Sequence, residues 1–346
     1  MRPFTYTRAT STNAATQSYG ASNAAEADTS GNLVQGRFPA EYIAGGTTLL
    51  DLMKLDVMQP ARVVDITGLD QSHSAIEVTQ AGLKLGALVK MSAAADHPAI
   101  IKAYPVLAQS LTLAASAQLR NMATLGGNVL QRTRCNYFRD PSWTACNKRN
   151  PGSGCAALQG VNRQNAILGT SPDCIATYHG DFAQALIALD ATVDIVGPKG
   201  NRTIAFSALH REPGSTPNVE TTLAPGDLIT SLSVPAGPWT RRSLYLKIRD
   251  RQSYEYALAS AAVALDLDQG VVRHARIALG GVATVPWRAK DAEAALIGKP
   301  LDENAATNAA RIAFAGAAPR EHNAYKVALG QKTVVRALLQ AATLEG

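Results

Sequence analysis

The sequence predicts an α+β fold, on three observations. A strand breaks at two glycines into an amphipathic helix over Glu41–Met53, a second glycine turn lies at Thr124–Asn128, and the chain beyond Pro238 runs as three strands followed by three helices. Strands gathered first and helices after them is the order of an α+β domain. At 346 residues the chain is long for one core. It divides at the linker Pro235-Ala236-Gly237-Pro238 into a domain over 1–238 and a C-terminal domain over 239–346.

Residues 1–36 open on a short strand-like piece. From Thr10 to Gly36 the chain lapses into Ala, Ser, Thr, Asn and Gly, which buries little and predicts a weakly amphipathic helix followed by a loop. Arg62–Ile66 and Leu83–Leu88 read as short buried strands, the second entered through Gly82. From Ala99 to Ala117 the period becomes helical, with Ile100, Ile101, Val106, Leu107, Leu111 and Leu113 on one face. An apolar helix runs to Leu189, with Asp181 before Phe182 as a good N-cap. Val193–Val196 and Arg202–Phe206 form a hairpin across Gly197-Pro198-Lys199-Gly200, and Leu228–Val234 returns as a strand after Pro225-Gly226-Asp227. The C-terminal domain supplies strands over Ser243–Ile248, Ala257–Asp266 and Val271–Gly280. Helices follow over Trp287–Ile297, Glu303–Phe314 and Glu321–Leu344.

Composition places the chain among soluble globular proteins, with 46% hydrophobic and 17% charged residues. The formal charge of +6 is partly local, because Arg132, Arg134, Arg139, Lys148, Arg149 and Arg163 face only Asp140 between Gln131 and Arg163. A nucleic-acid groove would interleave such cations with more aromatics than Tyr137, Phe138 and Trp143, so no nucleic-acid partner is expected. No run approaches the roughly 20 apolar residues that cross a bilayer. Met1–Thr7 shows neither a secretory core nor a twin-arginine pair, so a cytoplasmic chain is expected, or a periplasmic one co-exported on a signal-bearing partner.

The turn at Gly45-Gly46 has the physics of an anion cradle: glycines let backbone N–H groups approach a phosphate, and a helix start follows. A plain strand-to-helix turn is the alternative for one such pair. Two turns suit a dinucleotide, whose pyrophosphate one turn can hold while the other closes over it. Neither carries G-x-G-x-x-G, which removes the Rossmann fingerprint.

All four cysteines, Cys135, Cys146, Cys155 and Cys174, fall within one segment, spaced by 11, 9 and 19 residues. Structural zinc sites gather close C-x-x-C pairs, which are missing here. Disulfides require an oxidising compartment. A four-iron four-sulfur cluster wrapped by a long loop is left, with Pro151-Gly152-Ser153-Gly154 as flexible backbone and the basic surplus answering its negative charge. Four unrelated buried thiols are the plain alternative. His97, His179, His210, His274 and His322 have no Ser or Cys partner at a suggestive spacing and read as surface or satisfied residues.

Ala44-Gly45-Gly46-Thr47, then Gln118-Leu119-Arg120-Asn121 leading into Thr124-Leu125-Gly126-Gly127-Asn128, resembles the FAD-binding medium subunit of the molybdenum hydroxylases, the xanthine dehydrogenase and aldehyde oxidoreductase family. The resemblance implies a two-subdomain FAD-binding domain of the vanillyl-alcohol-oxidase/PCMH type, followed by a domain of three-stranded antiparallel sheet with helices. Carried over, the first motif wraps the FAD pyrophosphate with Ile43, Ala44, Gly45, Gly46, Thr47, Thr48 and Leu49. The second completes the pocket with Thr124, Gly126, Gly127 and Asn128. Thr48 stands where many relatives carry Asn or Asp, which alters one side-chain hydrogen bond and leaves the backbone cradle.

Asp181 matches an aspartate near the ribityl chain, with Gly180 where relatives often have Ser. The loop Lys247–Tyr254 is placed beside the isoalloxazine ring, where Lys247 would favour the anionic reduced flavin. A solvated charged hairpin is the alternative for that loop. A subset of the family carries an extra cluster in a loop matching 131–174. The runs Gln131–Cys135, Cys146–Arg149 and Pro151–Leu158 look closest to the aldehyde oxidoreductase branch. The resemblance therefore implies that Cys135, Cys146, Cys155 and Cys174 ligate one [4Fe-4S] cluster.

Its implied function is electron transfer within a heterotrimer. A large subunit would hold the molybdenum cofactor and oxidise an aldehyde, a small subunit would hold [2Fe-2S] clusters, and electrons would pass through FAD to an external acceptor. A stand-alone flavin oxidase of the vanillyl-alcohol type would need a larger substrate domain than follows Pro238. A zinc-stabilised binding module would leave both glycine turns unused.

Overall fold

Residues 1–20 and 39–345 are described by the structure, a computed structural model. The first elements are β1 (Thr5–Arg8), α1 (Thr12–Gly20), β2 (Ala40–Ile43), α2 (Leu49–Lys54) and β3 (Arg62–Asp65). The strands pair in parallel in the order β1-β3-β2. Val63 and Val64 are both buried because α2 covers one face, through Leu52 and Met53, while Ala15 of α1 packs on the other. Neighbouring side chains of a strand point to opposite faces, so a doubly covered strand needs two apolar residues in succession. Helix α1 is the weakly amphipathic helix expected near Thr10; the loop expected to run on to Gly36 lies outside the described residues from position 21.

Next come α3 (Asp70–His73), β4 (Ile76–Val78), β5 (Gly82–Gly86), α4 (Met91–Ala95), α5 (Pro98–Ala103), α6 (Pro105–Thr112), α7 (Ala117–Met122) and α8 (Leu125–Val129). The single helix expected from Ala99 to Ala117 is instead broken at Tyr104 (φ −139°, ψ 56°). Pro105 cannot donate into a preceding turn and forces Tyr104 out of helical geometry, so α6 starts afresh with Pro105 at its first position.

Beyond α9 (Asn136–Arg139), in the cysteine loop, lie α10 (Phe182–Ala188), β6 (Thr192–Gly197), β7 (Gly200–Ala205) and β8 (Leu228–Pro235). These strands join β4 and β5 in an antiparallel sheet ordered β4-β5-β8-β6-β7. The first domain thus has two subdomains, one per sheet.

The C-terminal domain contains β9 (Ser243–Ile248), β10 (Ala259–Asp268), β11 (Val271–Gly280), β12 (Trp287–Arg288), α11 (Lys290–Leu296), α12 (Glu303–Ala313) and α13 (Tyr325–Ala342). Its antiparallel sheet has four strands, β12-β11-β10-β9, where three were expected. Residues 287–288 read as helix in the sequence, but they follow Pro286 and pair with Ala278 and Leu279, which delays α11 to Lys290. Strand β10 is buried on both faces. Ala262 and Ala264 join the core of α6 and α10, whereas Ala261, Val263 and Leu265 join the core under α11–α13. No helix among the described residues is long and apolar enough to cross a membrane.

The cysteine loop is tied to the C-terminal domain near the start of α13. Asn323 Nδ2 donates to the carbonyls of Asn165 (3.3 Å) and Ala166 (3.2 Å), and Lys326 Nζ to those of Gln164 (3.1 Å) and Gly281 (2.6 Å). Burial, helped by the Arg163 charge, lowers Lys326 to about 7. Because the unfolded chain keeps that proton to higher pH, stability is expected to rise from about pH 7 toward pH 10. Thermal midpoints across that range should show the rise, and Lys326→Met should flatten it.

Candidate functional site

A cavity of about 510 Å3 lies between the two subdomains of the first domain, within the roughly 300–1,000 Å3 usual for ligand pockets. The parallel subdomain contributes Glu41–Leu49 and Ile66. The antiparallel one contributes Ala87, Leu88 and Leu228–Ile229, and the second glycine turn adds Thr124, Gly126 and Gly127. Of the residues expected to bind a cofactor, Ile43, Ala44, Gly45, Gly46, Thr47, Thr48, Leu49, Thr124, Gly126 and Gly127 meet around this space.

The two turns are chemically unlike. Gly46 has φ +72°, which favours glycine, and the N–H groups of Gly45, Gly46, Thr47 and Thr48 have no acceptor among the described residues. Thr48 leads into α2 without a side-chain cap. Unspent, half-buried backbone donors beside a cavity are what an anion needs.

The second turn has spent its amides. Leu125 N donates to Val89 O (2.9 Å), Gly126 N to Ala87 O (2.8 Å), Gly127 N to Thr124 Oγ1 (3.4 Å) and Asn128 N to Thr124 O (2.8 Å). It is therefore a capped helix start that closes the pocket, and its glycines permit close approach. A Cβ on Gly126 would lie 2.9 Å from that of Ala87, and one on Gly45 would lie 2.0 Å from the carbonyl oxygen of Met122. The first turn thus packs directly against the backbone entering the second.

Arg132 also lines the cavity, a role its place in the basic loop did not reveal. Its guanidinium lies over the Phe138 ring at 4.6 Å and donates to Glu220 (Nε, 2.8 Å). Burial opposes the charge on Glu220, but Arg132 and Lys148 hold it below the usual carboxylate range. Glu41 fares oppositely: burial pushes it up to about 7, with Arg132 only partly offsetting, and Oε1 has no partner among the described residues.

Asn128, Asp181 and Lys247 lie outside the cavity lining. Asn128 donates to Met91 Sδ (3.4 Å). Asp181 stands at the first position before α10, yet its carboxylate caps nothing. It accepts from Lys247 Nζ (2.8 Å) and from the Tyr245 hydroxyl (2.6 Å), and Lys247 also donates to Leu113 O (3.0 Å). The pair is buried, at 1% exposure for the Lys247 side chain and 4% for Asp181, so the solvated-hairpin alternative fails at Lys247. His179 departs from the expected surface or satisfied histidine. It is buried, lowered by desolvation to about 3, and its Nδ1 has no partner among the described residues.

The cysteine loop packs on α2. Cys135 and Cys146 share a core with Leu49, Leu52, Met53 and Phe138, while Cys135 and Cys155 border Tyr137, Ala157 and Ile175. Two of the sulfurs face N–H donors. Asn165 Nδ2 lies 3.6 Å from Cys135 Sγ, and Ala176 N 3.4 Å from Cys174 Sγ. The nearby backbone amides of Arg149 and Lys148 partly offset burial at the Cys146 thiol, and those of Ala157 and Ile175 do so at Cys155. Burial raises the thiols of Cys146 and Cys155, and takes Cys174 to about 12. Among the described residues, no three His, Cys, Asp or Glu side chains are placed to share one metal ion.

Most of the basic surplus answers carboxylates instead of thiols. Arg134 and Arg139 share Asp51 of α2 (2.9 and 2.8 Å), Arg132 and Lys148 share Glu220, and Arg163 holds Asp250 (2.8 Å). Arg149 donates to the carbonyls of Tyr137, Phe138 and Trp143. Arg149 lowers the thiol of Cys146, and Lys148 that of Cys174.

Residues 3–237 match the FAD binding domain in molybdopterin dehydrogenase, and residues 244–341 the CO dehydrogenase flavoprotein C-terminal domain. The chain is 44% identical to the aldehyde oxidoreductase FAD-binding subunit PaoB of Escherichia coli K12, over 92% of this chain and 95% of the relative. It is 26% identical to the carbon monoxide dehydrogenase medium chain of Afipia carboxidovorans, over 81% and 80%. A crystal structure of Cu,Mo-CO dehydrogenase shares the fold, with a TM-score of 0.74 over 99% of both chains at 23% identity. These matches show that the chain belongs to the FAD-binding medium subunits of the molybdenum hydroxylases, oxidoreductases of the aldehyde and xanthine dehydrogenase type.

Proposed function

We propose that the chain is the FAD- and [4Fe-4S]-binding electron-transfer subunit of a heterotrimeric molybdenum-dependent aldehyde oxidoreductase. It passes electrons from a small [2Fe-2S] subunit to an external acceptor, and aldehyde oxidation resides in a large molybdenum-cofactor subunit. The observation that carries the flavin half is the row of unspent amides from Gly45 to Thr48 along the cavity of about 510 Å3. The aldehyde half rests on 44% identity to a subunit named for that activity.

In this reading Gly45–Thr48 hold the pyrophosphate, and Ile43, Ala44, Leu49, Thr124, Gly126 and Gly127 shape the pocket around it. Asn128, Asp181 and Lys247 serve the ribityl and ring side, where Lys247 reaches a flavin only by sharing its bond to Asp181. Bound FAD supplies the exchange between paired and single electrons that such a subunit requires. Since the chain works where its partners do, it resides in the cytoplasm, or in the periplasm after co-export; fractionation of a tagged strain decides between them.

The cluster half is supported by four free thiols on one loop, with N–H donors at the sulfurs of Cys135 and Cys174, the outer hydrogen bonding that iron-sulfur ligation uses. Anaerobically purified Cys146→Ser is expected to lose iron and acid-labile sulfide while retaining flavin. Wild-type protein carrying zinc, or no metal, would overturn the cluster assignment. In the assembled complex, an unchanged rate of flavin reduction in this variant would exclude the cluster as an obligatory relay.

A further inference from the structure

The cavity holds a feature that phosphate binding does not explain. Glu41, on β2, lines it with a buried side-chain oxygen that no described residue satisfies. A buried carboxyl oxygen without a partner is costly, and cavity geometry that preserves one points to a donor other than the described residues. That donor is not a phosphate, which would repel the carboxylate.

Glu41 precedes Gly45 by four residues, so an extended chain separates them by at most roughly 13 Å, about the reach of a nucleoside from its phosphate. Tyr19 and Tyr42 line the same cavity with ring centroids 4.9 Å apart, and both feel the Glu41 charge. Aromatic surface with a hydrogen-bond acceptor suits a base and ribose, and unspent amides suit a pyrophosphate.

We propose that Glu41 recognises the adenosine half of the dinucleotide, its Oε1 accepting a hydrogen bond from the base amino group or a ribose hydroxyl, and so selects FAD over FMN. The inference rests on the flavin reading of the cavity and adds the direction in which the nucleotide lies. Among the described residues, the charged and titratable groups that interact with Glu41 are Tyr19 of α1, Tyr42 of β2 and Arg132 of the cysteine loop. A donor from the nucleotide favours the ionised carboxyl, so FAD binding should release a proton and tighten as pH rises through about 7.

The test is fluorescence titration of the flavin-stripped chain, with folding checked by its thermal midpoint. Wild-type protein, Glu41→Leu and Glu41→Gln are each titrated with FAD, FMN and analogues of FAD containing hypoxanthine or 2′-deoxyadenosine. Glu41→Leu is expected to weaken FAD about 10- to 100-fold and to leave FMN unchanged. Glu41→Gln keeps the acceptor and should hold FAD within about threefold while removing the pH dependence. The analogue that binds weakly to wild type, yet no differently from FAD to Glu41→Leu, identifies the donor. Equal FAD affinity for wild type and Glu41→Leu, or equal losses for FAD and FMN, would overturn the inference. Failure of wild type to bind FAD at all would instead overturn the reading of the cavity.

Discussion

Gly45→Ala is expected to give a chain that no longer retains flavin, with FAD affinity at least about 100-fold weaker. Its new methyl group would stand 2.0 Å from the Met122 carbonyl oxygen and 2.7 Å from the carbonyl carbon, inside any tolerated contact. Both atoms are backbone, so no side chain can swing away. Either the turn between β2 and α2 or the segment from α7 into α8 must shift, and both border the cavity. Displacing the four unspent amides by even about 1 Å removes the geometry that binds an anion. Gly46→Ala is the milder comparison. Its position has φ +72°, which costs an L-residue about 1–2 kcal/mol, and its nearest neighbours are side-chain atoms of Leu50 and Ile43. Flavin content after purification and FAD titration of the stripped proteins measure both.

Lys247→Met is expected to destabilise the chain by about 3–5 kcal/mol, because it leaves the Asp181 carboxylate buried without its counter-charge. The Tyr245 hydroxyl would still donate to that carboxylate, but a neutral donor does not replace an ammonium. Pairing Lys247→Met with Asp181→Asn should recover most of the loss, since the second change removes the stranded charge. Denaturation of the two single variants and the double variant gives the coupling directly. A loss in Lys247→Met that Asp181→Asn does not relieve would mean that the lysine acts through its bond to Leu113 O instead.

Local chemistry was the legible part of the sequence. The bounds of β9 and β11 match the expected strands, and both glycine turns border the cavity, because turns and alternation are set by residues close together in sequence. Pro105 was equally visible, but the apolar period across it suggested one helix where the missing N–H dictates two. Tertiary partnerships were hidden. Nothing in the basic loop announces that Asp51, Glu220 and Asp250 would answer its cations, and Asp181 looked like a helix cap because its partner Lys247 lies 66 residues away. Glu41 carried no signal either, since a single carboxylate in a strand becomes unusual only once burial leaves it without a partner.

The difference between the two turns also explains why a Gly-Gly pair is weak evidence in sequence. At Gly126-Gly127 the amides serve the fold, whereas at Gly45-Gly46 they have no acceptor among the described residues, and only the hydrogen-bond pattern separates the cases.

Cofactor stoichiometry of the chain purified without air tests the flavin and cluster assignments together. Visible absorption, flavin released by acid, and iron and labile sulfide assays should give one FAD with four iron and four sulfide per chain. A colourless polypeptide lacking nucleotide, iron and sulfide, and unable to take up added FAD, would contradict the assignment of the cavity and of the thiol loop.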